Sequence, residues 1–175
     1  MASVLRPGDP CWARGWVVAE GGALRLKAFP DDNYEGIAVM GTGEVDPGAR
    51  YDISGRWTGD GVLVEELVPA QGQDPDGIDE RAVEWCRAKG PVSPVTVRQM
   101  DSMIRRWSDA LEPYVVMVMG SGGDPVPGEP YAWPAVEFII LTRWAEDLLP
   151  FAQEAHPDAV RFALLVSADR DELID

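Results

Sequence analysis

Between residues 51 and 67 apolar and polar positions alternate as far as Thr58, the chain turns through Gly59-Asp60-Gly61, and β-branched and aliphatic residues then resume. Alternation with period two places successive side chains on opposite faces of a strand, and a Gly-rich turn supplies the backbone angles that reverse it, so this stretch predicts a β-hairpin. The same pattern recurs upstream. Strands are predicted over 11–19, 23–29, 36–41, 51–58 and 62–68, separated by Glu20-Gly21-Gly22, Pro30-Asp31-Asp32-Asn33-Tyr34-Glu35, Asp46-Pro47-Gly48 and the Gly59 turn. Each separator supplies residues that adopt a positive or a fixed φ.

Five short strands in residues 1–69 are the content of a small five-stranded antiparallel β-barrel. Their order and spacing resemble an OB-type barrel, whose strands curl and close to remove their edges. Many OB folds place a helix between the third and fourth strands, whereas residues 42–50 are too short and too rich in Gly and Pro to form one, so an SH3-like barrel stays open. Residues 70–78 carry the Gln, Gly and Pro of a linker.

Beyond the linker the apolar period changes from 2 to 3.6. A helix is predicted over 79–89, with Ile78, Ala82, Trp85 and Cys86 on one face and Gly90-Pro91 as its stop. A longer helix begins near Pro94 or Thr96 and ends at Pro113, burying the stripe Val97, Met100, Ile104, Trp107 and Leu111. Asp101, Arg105 and Asp109 stand four apart on it and predict exposed ion pairs. The continuous apolar run 114–119 predicts a strand covered on both faces, central in its sheet. A long loop follows over 120–134. The pattern then favours a strand over 136–142 and a helix running towards 155, bent at Pro150, with a further strand over 160–166 and an acidic helical turn or tail over 169–175. The expected fold class is therefore α+β: the OB-like barrel, then a C-terminal α/β layer of about three helices and three strands over 79–175.

Composition narrows the function. The chain of 175 residues is 46% hydrophobic, enough for a packed core, and carries 30 acidic against 15 basic residues for a formal charge of -15. Through Pro69 there are six Lys or Arg and eleven Asp or Glu, so neither part is basic. Such an excess repels polyphosphates and anionic membranes and attracts basic partners. Cys11 and Cys86 are too few for a disulfide framework, and no apolar run suits a signal peptide or a membrane span. A cytoplasmic location with reduced thiols is the expectation.

Chemistry is sparse. His156, the sole histidine, precedes Pro157 at an apparent helix end, which argues against His-dependent triads and zinc sites. The acidic stretch 73–80 lacks the ligand spacing of a calcium loop. Gly120-Ser121-Gly122-Gly123 follows an apolar strand but runs into Asp124-Pro125-Val126-Pro127 with no lysine after it, unlike a phosphate loop. No catalytic residue, metal or cofactor is therefore assigned.

Two constellations remain. Asp31, Asp32, Tyr34 and Glu35 in one loop, and Asp124, Glu129, Tyr131 and Trp133 in another, set carboxylates beside aromatic anchors, a chemistry suited to capturing a basic protein. The expected function is a non-catalytic acidic protein-binding module, for instance an immunity or antitoxin-like inhibitor that masks a basic toxin or effector. Against it stands a cationic-aromatic set on the barrel strands, Arg14, Trp16, Arg25, Lys27, Phe29, Arg56 and Trp57. In that alternative the barrel binds single-stranded nucleic acid or another oligomeric ligand.

Overall fold

A computed structural model describes residues 3–31, 33–70, 94–120, 137–168 and 173–174. The predicted helix over 79–89, and the loop acids and aromatics from Asp124 to Trp133, lie outside them. The chain divides into two units, one comprising residues 1–73, 142–145 and 164–174, the other residues 74–141, 146–163 and 175. Together they make a mixed α+β protein.

The first unit is built on strands β1 (Pro10–Glu20), β2 (Ala23–Lys27), β3 (Ile37–Met40), β4 (Ala49–Trp57) and β5 (Gly61–Pro69). They follow the predicted spans within two residues. Hydrogen bonding runs from β1 through β2, β3, β5 and β4 back to β1, so the strands form a ring. The expected all-antiparallel arrangement needs correction at one place: β3 and β5 are parallel, through Ala38↔Gly61, Val39↔Val62 and Met40↔Leu63. The turns of the ring bring two strands that are not consecutive to the same seam, where they run in the same direction.

Alternation decides the two faces. Ala13 and Val17 of β1, Leu26 of β2, Ile53 of β4 and Val62 of β5 are fully buried inside the ring. Each of the Val, Leu and Ile side chains among them stabilises by about 1.5–3 kcal/mol relative to exposure. Close approach also requires a missing side chain: a Cβ at Gly55 would lie 2.2 Å from the Leu63 carbonyl oxygen. The β4–β5 register shifts beside Gly55, where Ser54 pairs with Glu66 but Gly55 pairs with Val64, leaving Glu65 as the extra residue of a β-bulge. The predicted hairpin turn is present. Thr58 N–H donates to the Gly61 carbonyl at 2.9 Å, Gly61 N–H donates to Thr58 Oγ1 at 3.0 Å, and Gly59 takes φ +114.

A late segment completes the first unit. β9 (Val166–Ser167) pairs antiparallel with β1 through Trp12↔Ser167 and Ala13↔Val166. The predicted strand over 160–166 is accordingly two strands, β8 (Val160–Leu164) and β9, interrupted at Leu165. Leu173–Ile174, within the stretch expected to be a helical turn or tail, forms a short strand, β10.

In the second unit the sheet neighbours run β8, β7 (Glu137–Leu141), β6 (Val115–Gly120). The expected central strand is corrected here: β6 lies at the end of the order, and Val118 is exposed, whereas Ile139, Ile140 and Leu141 of β7 are all buried. A strand with neighbours on both sides and cover on both faces needs an unbroken apolar run, and β7 supplies it. Helix α1 (Pro94–Arg106) stops before Trp107, a four-residue turn α2 (Ser108–Leu111) follows, and Trp107 joins Phe151 edge to face at 6.1 Å between ring centroids. The strand-then-helix reading of 136–155 holds, as α3 (Leu149–Glu154) follows a 3-10 turn at Glu146–Leu148. Pro150 sits in the first turn of α3 and does not bend it, because no intrahelical donor is needed there.

Candidate functional site

The loop after β2 was expected to face a partner, and the strand before it to face nucleic acid. The structure brings the two against each other. Tyr34 is half-buried, and its hydroxyl donates to the Leu26 carbonyl at 3.1 Å. Glu35 Oε1 accepts from Arg25 Nη2 at 2.9 Å. Gly36, at φ +75, lies so close over β2 that a Cβ there would stand 3.1 Å from Lys27 Cγ. The loop thus covers the strand. Lys27 is only 3% exposed, and its Nζ donates to Glu20 Oε1 at 2.5 Å.

Two further ring cations, Arg14 and Arg56, are committed in the same way. Arg14 donates to Asp52 through Nε at 2.5 Å and through Nη2 at 2.9 Å, a two-pronged pair across β1 and β4, and its guanidinium lies 5.1 Å from the Trp12 ring centroid. Arg56 Nε donates to Glu65 at 2.9 Å. Of the proposed stacking aromatics, Trp57 is buried inside the ring with Arg143 over it at 5.5 Å, while Trp16 and Phe29 are half-buried. Trp16 shares the outer face with Arg14 and lies opposite Lys27 and Arg50. Asp31 is exposed in the turn. Asp32, Asp124, Glu129, Tyr131 and Trp133 lie outside the described residues.

A different surface is left open. Beyond Leu63, β5 pairs with β4 alone, so residues 64–69 form a free strand edge among the described residues. The adjoining outer face carries Met40, Leu63 and Val68, exposed by 37%, 46% and 44%, with exposed Glu65 and Glu66 between them. Single exposed apolar residues are ordinary, but three along one edge and its parallel neighbour form a stripe. The sequence carried one sign of this place: the doublet Glu65-Glu66 interrupts the apolar run Val62-Leu63-Val64 and marks the bulge.

Burial governs the thiol nearby. Cys11 is buried opposite Gly55, and burial, together with the Glu65 carboxylate, pushes it up to about 11, which keeps it protonated and unreactive at neutral pH.

In the second unit a half-open groove of about 570 Å³ runs along α1, with Met100 and Met103 at its floor and Val95, Arg98, Arg106 and Glu154 around it. Glu154 accepts hydrogen bonds from Trp107 Nε1 at 2.8 Å and from Arg106, which hold its carboxyl below the ordinary range. The expected pairing of Arg105 with Asp101 and Asp109 is corrected: the ion pair on this helix belongs to Arg106 and Glu154. His156 is exposed after α3, with Nδ1 accepting from the Asp158 N–H at 3.2 Å, a local turn contact. Among the described residues no group of three His, Cys, Asp or Glu is placed to hold a metal ion, and no helix is long and apolar enough to cross a membrane.

No protein-family model, curated protein or solved structure matches this chain.

Proposed function

We propose that this protein is a non-catalytic, acidic protein-binding module that docks a basic protein, and that its strand ring is a small OB-like barrel. The ring order and the parallel β3–β5 seam support the barrel reading, since a Greek-key barrel of this size is partly open where its ends meet. One observation carries the functional reading: Arg14, Arg25, Lys27 and Arg56 are each paired with a carboxylate of the same unit. Cations so committed do little for a phosphate backbone, and the surplus acids set the field outside. That field speeds encounter with a basic surface, and nearby apolar side chains supply contact energy once it arrives. Masking a basic toxin or effector in the cytoplasm, as an immunity or antitoxin-like inhibitor does, is the biological setting this chemistry suits.

The test is direct. The purified chain is titrated with the basic proteins encoded beside it and, separately, with a single-stranded oligonucleotide. Association with one basic protein, slowing as salt is added, is the expected result. Oligonucleotide binding that weakens steeply with salt, with no basic protein bound, would overturn the reading in favour of nucleic acid.

A further inference from the structure

We propose that the free edge of β5 at residues 64–68 receives an extended lysine- or arginine-bearing segment of the partner as an added strand. This rests on the reading of the protein as an acidic docking module and names the surface and the mode. An unpaired strand edge presents a row of N–H and C=O groups, and a peptide that pairs with it gains main-chain hydrogen bonds whatever its sequence. Side chains on the face beside the edge then choose among peptides.

Here the choice is legible. Leu63 and Val68 are exposed at the two ends of the edge, Met40 stands beside Leu63 on the parallel strand, and Glu65 and Glu66 lie between. A segment with cations near its middle and apolar residues flanking them meets both. Among the described residues Glu65 holds Arg56 alone, in a pair whose side chains are 59% and 53% exposed, and a bond so solvated yields readily to a second cation. Glu66 has no ion pair among the described residues. A second copy of this chain is the wrong occupant, because antiparallel pairing of two such edges sets carboxylates against carboxylates. Pro69 ends the row, having no N–H to offer.

The experiment uses the full chain labelled with nitrogen-15 and a capped peptide, Val-Val-Lys-Lys-Val-Val, as probe. Amide shifts confined to residues 63–68, with slowed hydrogen exchange there, are expected. A peptide of the same charge, N-methylated at alternate positions so that it cannot pair, should bind about tenfold more weakly. The double variant E65K/E66K, checked for an unchanged spectrum elsewhere, should lose binding, and the corresponding Glu-Val peptide should not bind. Equal binding of the methylated peptide, shifts located elsewhere, or undiminished binding by the variant overturns strand addition and leaves acidic docking intact. Failure of the Lys-Val peptide and of every basic protein to bind overturns both.

Discussion

The two sides of the strand ring use the same charged residue types to opposite ends. On the β1–β2–β4 side, Arg14, Arg25 and Lys27 have each found a carboxylate, Tyr34 to Gly36 fold down over β2, and Lys27 is buried beneath them. On the β5 side, carboxylates outnumber cations, the backbone edge is open, and apolar side chains face solvent. The lesson is that a cluster of charges marks a docking surface only where its members have not already satisfied one another. Formal composition gives the surplus; pairing decides where the surplus is felt.

Three substitutions or titrations would break or sharpen this contrast. The largest effect is expected from Gly55→Ala, because its methyl group would overlap the Leu63 carbonyl and force the bulge apart. A loss of about 2–3 kcal/mol in urea unfolding is expected, and hydrogen exchange should accelerate first at residues 62–68. Uniform acceleration around the ring would mean that the two sides are not separable. Next comes Asp52→Asn, which removes the charge that holds Arg14 in a half-buried pair. It should cost about 1 kcal/mol and, by releasing a cation beside Trp12, raise affinity for oligonucleotide. An unchanged oligonucleotide affinity would show that pairing is not what silences that side.

The smallest effect comes from the thiol. Cys11 titrates at about 11 in the folded chain against an ordinary 9.0, so folding favours its protonated form. The contribution is complete below the ordinary value and is lost as pH rises through 11. Between pH 8 and pH 10 the wild type should therefore lose about 1 kcal/mol more stability than Cys11→Ala. Replacing Glu65 by Gln should lower the thiol value slightly, since burial is the larger cause and Glu65 the smaller. A large drop would place the acidic edge closer to the ring interior than its exposure indicates.

Much of the ring was legible from sequence because its determinants are local. The glycines at 21, 22, 59 and 61 and the acids and prolines between strands fix turns within a few residues, and alternation assigns inner and outer faces. What escaped depends on partners distant in the chain. Nothing near Trp12 announces that it will pair with Ser167, and the parallel seam between β3 and β5 has no local signature. Period-two counting sets Lys27 on the face opposite Leu26, but its burial goes with Tyr34 and Gly36 folding back over β2, which alternation does not encode. The β6 run is the more continuously apolar of the two, since β7 opens with Glu137, and only sheet order distinguishes edge from centre. The candidate site was harder still. The acidic loop and the cationic strand were read separately, and the finding is that two of their members, Glu35 and Arg25, are partners.

The parallel contact between β3 and β5 spans three residue pairs, Ala38↔Gly61, Val39↔Val62 and Met40↔Leu63, while the β1–β4 and β4–β5 ladders are much longer. The local hairpins have less chain entropy to overcome than a contact that waits for β4 to be threaded between its halves. Among the five strands of the ring the seam therefore acts as a clasp, fastened after the β1–β2 and β4–β5 hairpins have formed.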